Sequence, residues 1–280
     1  MICFPNCKIN LGINIIDKRN DGFHNIETIL YPLPLHDILE VITAPDGNFR
    51  FFLTGFELDS IAEDNLVVKA YKLLKDEFQL EPVKVHLHKV IPSGAGLGGG
   101  SADAAFMISC LNDLFDLKLN KFQMHNFASQ LGSDCSFFLE NKPVFATQRG
   151  DKFSSVELDL SKYQIIVVRP NIHIPTKKAY SWIKPEHPGK SILEIIDKPV
   201  VQWKDSLVND FEKPVFKRFP LLKDIKADLY RSGAAYASMT GSGAAIFGIF
   251  ENEINLKDQF RDFFYWRGKR GNGLLGEWGK

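Results

Sequence analysis

The stretch 91–102 reads Ile91-Pro92-Ser93-Gly94-Ala95-Gly96-Leu97-Gly98-Gly99-Gly100-Ser101-Ala102, with five glycines in the nine residues from 94 to 102. Glycine admits positive φ and lets another group come close to the backbone amides. A helical pattern starts directly behind the loop, with Ala104, Ile108, Leu111 and Phe115 at helical spacing. Loop amides and the unpaired N–H groups of a helix N-terminus together make a cradle for phosphate, and the helix dipole points its positive end there. Ser101 stands where an N-cap hydroxyl belongs. A ligand-free turn is the alternative, but ordinary turns use one or two glycines.

Two common phosphate loops do not match. A Walker A loop requires Gly-Lys-Ser/Thr at its end, and Gly99 is followed by Gly100-Ser101. The dinucleotide fingerprint is matched at Gly94, Gly96 and Gly99, but it belongs behind a buried parallel strand with a continuous apolar run. Here Val83, Val85 and Leu87 alternate with Lys84, His86 and His88, and Pro92 interrupts the entry to the loop.

The chain has 280 residues, enough for two domains with sizeable cores. Lys and Arg number 34, as do Asp and Glu, so no net field draws nucleic acid or an anionic membrane. No apolar run approaches the roughly 18 residues of a membrane span. The first ten residues lack the basic start of a secretory leader. Cys3, Cys7, Cys110 and Cys135 lack zinc-ligand spacing and suit free thiols in a cytoplasmic protein. No metal site built from protein ligands alone is expected.

Strands and turns dominate the start of the chain, which favours α+β architecture over repeating βαβ units. Residues 7–15 carry apolar side chains at every odd position from 9 to 15, placing Lys8, Asn10 and Asn14 together on the other face. Asn65 precedes a helix with Leu66, Ala70, Leu73 and Leu74 on one stripe, and either caps it or reaches a ligand. Asn120 and Gln123 form a capping-box pattern, and that helix stops at Gly132. The strand at 164–168 opens a second domain, helices are expected near 209–212 and over 221–231, and Thr240-Gly241-Ser242-Gly243-Ala244 joins two final strands. The division expected is 1–155, 156–266 and a frayed tail at 267–280 with five glycines.

Two charged residues stand out. Asp134 lies just past a helix stop, where N-terminal amides favour a carboxylate that can take a proton from a hydroxyl; the alternative is a plain N-terminal acid. Lys8 can offset developing negative charge, or be a solvent-facing strand lysine. His86 and His88 share a strand face without a third metal ligand nearby.

In combination these segments resemble the GHMP kinases, whose Pro-x3-Gly-Leu-Gly loop is similar to Pro92-x3-Gly96-Leu97-Gly98-Gly99-Gly100-Ser101. Lys8-Ile9-Asn10-Leu11, Asp21-Gly22-Phe23-His24, Leu131-Gly132-Ser133-Asp134 and Thr240-Gly241-Ser242-Gly243-Ala244 narrow the resemblance to members acting on a cytidine-diphosphate-linked polyol. Asn65-Leu66 and Ile174-Pro175-Thr176 fit the same pattern, and the likeness runs in order to about Trp266.

The resemblance implies a two-domain α+β GHMP kinase fold, with an N-terminal domain like ribosomal protein S5 domain 2 and a ferredoxin-like C-terminal domain. It implies ATP along Pro92, Ser93, Gly94, Ala95, Gly96, Leu97, Gly98, Gly99, Gly100, Ser101 and Ala102, with Asn65 beside it. Asp134 would be the general base and Lys8 its electrostatic partner. Asn10 and His24 would contact the cytidine side of the acceptor, with Phe23 and Tyr180 as stacking rings. Ser101 falls where the superfamily brings a hydroxyl near Mg²⁺. Phe23 replaces the usual tyrosine of Gly-Tyr-His, and no acidic Mg²⁺ ligand is evident, so ATP and water would hold the metal. The partners implied are small molecules, with neither nucleic acid nor membrane. Another small-molecule GHMP kinase, or an inactive nucleotide-binding module, is the alternative.

Overall fold

Alternation at Val83, Val85 and Leu87 makes a strand whose inner face is buried while His86 stays exposed. In the computed structural model, which describes residues 1–57, 62–187, 189–271 and the backbone of 277–278, this strand, Val83–Lys89, lies inside a four-stranded sheet. The sheet order is Ile2–Cys3, Ile38–Thr43, Val83–Lys89, Arg50–Gly55. Val83–Lys89 pairs antiparallel with Ile38–Thr43 and parallel with Arg50–Gly55. A parallel pair needs a crossover, and the helix Leu66–Phe78 supplies it.

This sheet belongs to the first of two compact units, formed by Met1–Cys7, His36–Ser93 and Gly98–Lys142. The buried stripe of Leu66–Phe78 runs through Val67, Ala70, Tyr71 and Leu74, one position round from the Leu66 and Leu73 expected from sequence. The helix Gly99–Leu114 packs against Leu66–Phe78, Lys121–Leu131, Cys135–Glu140 and the strand Ile38–Thr43. It is therefore buried on more than one stripe, and Ala102, Ala104 and Ala105 let its neighbours approach closely. Asn65 caps its helix, one of the two roles open to it, and Asn120 caps its own as expected, in a full capping box with Gln123.

The second unit comprises Lys8–Leu35, Gly94–Leu97 and Pro143–Lys280. One of its sheets has the order Asn6–Lys18, His24–His36, Val144–Thr147, Lys152–Ser155. The other is antiparallel throughout, in the order Tyr236–Met239, Ile246–Phe250, Gln164–Arg169, Phe264–Arg267, Glu277–Trp278. Helices Glu212–Arg218 and Pro220–Arg231 give Val215, Leu222, Ile225 and Leu229 to a core that also takes Ile13, Ile15, Ile166 and Val168. Beyond Trp266, the amides of Gly268 and Gly271 donate to Ile165 and Ser161. The rest of the expected tail lies outside the described residues, apart from 277–278.

Alternation along Asn6–Lys18 does not produce one wet face. Every residue from 6 to 15 is buried, the polar Lys8, Asn10 and Asn14 included. Buried polar groups must find partners, and those of this strand build the site described next. Among the described residues, no helix is long and apolar enough to cross a membrane.

Candidate active site

The glycine loop takes positive φ at every second residue: Gly94 at 63°, Gly96 at 77° and Gly98 at 73°. Alternating left-handed residues turn successive N–H groups to one side, the arrangement that cradles anions. Its carbonyls are engaged within the second unit. Leu97 O accepts from Lys8 N at 2.9 Å, Ala95 O from Ala245 N at 3.1 Å, and Gly96 O from Thr240 Oγ1 at 3.0 Å. The approach is close enough that a Cβ on Gly96 would lie 2.1 Å from Thr240 O.

Behind the loop, Gly98 and not Ser101 is the N-cap of Gly99–Leu114, and the first helical bond runs from Ala102 N to Gly98 O. The cap expected at Ser101 is corrected: the three glycines before it carry the chain into the helix earlier, and Ser101 sits in the first turn. Its hydroxyl hydrogen-bonds the Cys135 thiol, whose pKa burial pushes up to about 12. Cys135 is thus a protonated thiol at neutral pH. Asn65 is nearly buried and its Oδ1 accepts from Val67 N at 2.9 Å, so its oxygen is committed to the helix cap.

Lys8 is 3% exposed, and its Nζ donates to Asn10 Oδ1 at 2.6 Å. The same oxygen accepts from Gly241 N at 3.0 Å, while Asn10 Nδ2 donates to Thr28 Oγ1 at 3.0 Å. Asn10 N donates to Thr240 Oγ1, the hydroxyl that holds Gly96 O. One asparagine thus ties the lysine ammonium, the Thr240–Gly241 turn and, through Thr240, the glycine loop. Asn209 braces the turn from behind, with Nδ2 donating to Met239 O at 2.7 Å and Gly241 O at 2.9 Å. Thr28 and Asn209 carry no sequence signal for this role, because their partners are remote in the chain.

Asp134 lies in the first unit as the residue before the helix Cys135–Glu140. Its backbone carbonyl accepts from Phe137 N at 3.2 Å, but its carboxylate does not cap that helix.

His24 and Tyr180 are brought together as a stacked pair, with ring centroids 4.8 Å apart and planes 17° off parallel. Phe211 meets Tyr180 edge-on at 4.9 Å and fixes its ring. Burial lowers the pKa of His24 and Lys18 lowers it further, against the upward pull of Asp17, so the imidazole is neutral at pH 7. Phe23 is 56% exposed, with the Arg149 guanidinium 5.3 Å from its ring centre.

His86 and His88 both hydrogen-bond Thr54 Oγ1, at 2.8 and 2.9 Å. Among the described residues there is no group of three His, Cys, Asp or Glu side chains able to hold a metal.

Sequence and fold comparisons identify the relatives of the chain. The profile described as GHMP kinases N terminal domain matches residues 65–141, and GHMP kinases C terminal matches residues 200–265. A relative from Bacteroides fragilis named 4-diphosphocytidyl-2-C-methyl-D-erythritol kinase is 52% identical, covering 91% of this chain and 94% of its own. A namesake from Chlorobium limicola is 36% identical over 90% of this chain and 88% of its own. The crystal structure of a 4-(cytidine 5'-diphospho)-2C-methyl-D-erythritol kinase superposes with a TM-score of 0.81 at 28% identity, covering 98% of this chain and 100% of that one. A mevalonate kinase, at 14% identity and a TM-score of 0.72 over 95% of this chain and 98% of that one, shares the fold. The chain belongs to the GHMP kinases and, within them, to the 4-diphosphocytidyl-2-C-methyl-D-erythritol kinase family.

Proposed function

We propose that this protein is an ATP-dependent kinase that phosphorylates the 2-hydroxyl of 4-diphosphocytidyl-2-C-methyl-D-erythritol, in the non-mevalonate route to isoprenoids. Its strongest structural support is the cage around Asn10, which fixes a buried ammonium to the same framework that holds a phosphate-type loop. The loop 92–102, with Asn65 beside it, binds ATP. In the transfer, the Asp134 carboxylate takes the proton of the acceptor hydroxyl, whose oxygen bonds to the γ-phosphorus as the bond to the departing ADP oxygen breaks. Lys8 offsets the negative charge that develops. The Ser101 hydroxyl is the protein group that would face an Mg²⁺ carried by ATP, and such an ion would neutralise phosphate charge there.

The cytidine end of the acceptor is read by His24 and by the rings of Tyr180 and Phe23. Asn10 serves that side by holding Lys8, since both ends of its amide are engaged within the protein. Residues 1–155 make up the nucleotide-binding domain, and 156–266 contribute to the acceptor site. The four cysteines, present as thiols, suit a cytoplasmic setting.

Release of ADP across a panel of alcohols tests the assignment. The cytidine-diphosphate-linked methylerythritol should be turned over far faster than methylerythritol phosphate, galactose, homoserine or mevalonate. A free sugar or mevalonate as best acceptor would move the protein to another GHMP kinase activity, and no ADP release with any acceptor would leave an inactive nucleotide-binding module.

Two further results are expected at the acceptor end. Stacking on an aromatic face is worth about 1–3 kcal/mol per base, so His24→Ala and Tyr180→Ala should each raise the acceptor KM by about tenfold or more, with the ATP KM unchanged. Because His24 is held neutral, the acceptor KM should stay flat as pH falls to the ordinary histidine pKa of about 6.5. It should rise only below that, as the imidazole protonates. A break at higher pH in the wild type that persists in His24→Ala would assign the titration to another group.

A further inference from the structure

Behind the glycine loop lies a buried charged cluster whose members come from three separate elements. Lys89 ends the strand Val83–Lys89 in phase with the apolar Val83, Val85 and Leu87, so its side chain points into the first unit and is 3% exposed. Its Nζ donates to Asp37 Oδ2 and, at 2.7 Å, to Asp103 Oδ2. Asp37 is fully buried, and its other oxygen accepts from Val90 N and Ile91 N, the two amides leading into the loop. Asp103 is 2% exposed in the second turn of Gly99–Leu114, on the far side of the loop.

We propose that Lys89 is a positioning residue for ATP, a strut that joins the entry of the glycine loop, through Asp37, to the helix at its exit, through Asp103. The inference rests on the assignment of this loop to the phosphates of ATP. The strut passes directly beneath the loop's last turn: a Cβ on Gly99 would lie 3.3 Å from Lys89 Nζ and 2.8 Å from Ile91 Cγ2. Lys89 is walled off from the ligand by that backbone, so it acts through the loop and never touches phosphate.

The charges fit this role. Two ionised carboxylates against one ammonium would leave a net negative charge behind an anion site. Burial holds the Asp103 carboxyl well above the usual carboxylate range, against the pull of Lys89. Burial pushes the Lys89 ammonium down, and its two carboxyl neighbours outweigh that and keep it charged. With Asp103 held toward its neutral form and Lys89 kept charged, the cluster places less negative charge behind the anion site than two free carboxylates against one ammonium would. Asp103 Oδ1 has no hydrogen-bond partner among the described residues, so the Lys89 contact is what holds this side chain in place.

ADP titrations by calorimetry, with steady-state kinetics, test the strut in three variants. Asp103→Ala removes the tie to the helix and leaves Lys89 paired with Asp37; ADP affinity should fall, and the ATP KM rise, by about 10- to 100-fold, up to the loss that a misplacement of about 1 Å can cause. The acceptor KM should not move. Asp103→Asn keeps an oxygen for Lys89 and should return to within about threefold of wild type. Lys89→Met should match or exceed Asp103→Ala if it folds; if it does not, the Asp103 pair decides. A merely structural cluster would lower the melting temperature of Asp103→Ala yet leave ADP affinity within twofold, and that result overturns the proposal. Wild-type protein that binds no ADP would instead overturn the phosphate-loop assignment beneath it.

Discussion

Asp134→Asn should lower turnover by about 10²–10⁴-fold, the range general-base catalysis contributes, while ADP and acceptor still bind. The amide has the shape of the carboxylate but no basicity for the hydroxyl proton. The Asp134 side chain does not cap Cys135–Glu140, so the change removes no helix cap. Lys8→Met is the companion experiment. It removes the charge while Asn10 Oδ1 keeps its bond from Gly241 N, so the cage should survive. Turnover should fall by about 10²-fold or more, as when a group that stabilises transition-state charge is removed. Single-turnover phosphate transfer, measured on variants whose circular dichroism matches wild type, separates chemistry from folding. If both variants turn over at wild-type rate, neither residue belongs to the catalytic machinery.

The second large effect is expected at Gly96. A valine there must adopt φ near 77°, which a β-branched residue resists, and its Cβ would fall 2.1 Å from Thr240 O. Backbone strain of this type costs on the order of 1–3 kcal/mol, and the loop and the Thr240 turn must also part. Gly96→Val should therefore lower kcat/KM for ATP by at least about 10²-fold. Gly99→Val tests the other end of the loop, where φ is ordinary and the obstacle is Ile91 Cγ2 at 2.8 Å. Side chains yield more readily than backbone, so its loss of ATP affinity should be smaller than at Gly96. Wild-type ATP affinity in a folded Gly96→Val protein would remove this loop from the nucleotide site.

Lys89 shows how far a period-two pattern can be read. The alternation that identified Val83, Val85 and Leu87 as an inner face also contains Lys89, and a charged residue in apolar phase is a signal for a buried ion pair. Its partners were beyond reach, since Asp37 and Asp103 lie on other elements and no spacing links them to it. The first strand gave a related difficulty. Apolar odd positions were plain in the sequence, but alternation alone leaves open whether the even face meets water or a second polar layer. For Lys8, Asn10 and Asn14 the structure decides for the polar layer.

The sequence by itself determined what depends on near neighbours: the glycine loop and the helix behind it, the capping box at Asn120, and the strand face at 83–87. Each rests on backbone geometry or bonds within a few residues, where spacing is a direct record of contact. Tertiary structure alone decided that Asn10 meets Thr240 and Gly241, that His24 stacks on Tyr180, and that Lys89 bridges Asp37 and Asp103. Those contacts join residues distant in the chain, and folding brings them together only because apolar burial packs their strands and helices; the polar groups then pair with whatever that packing places beside them.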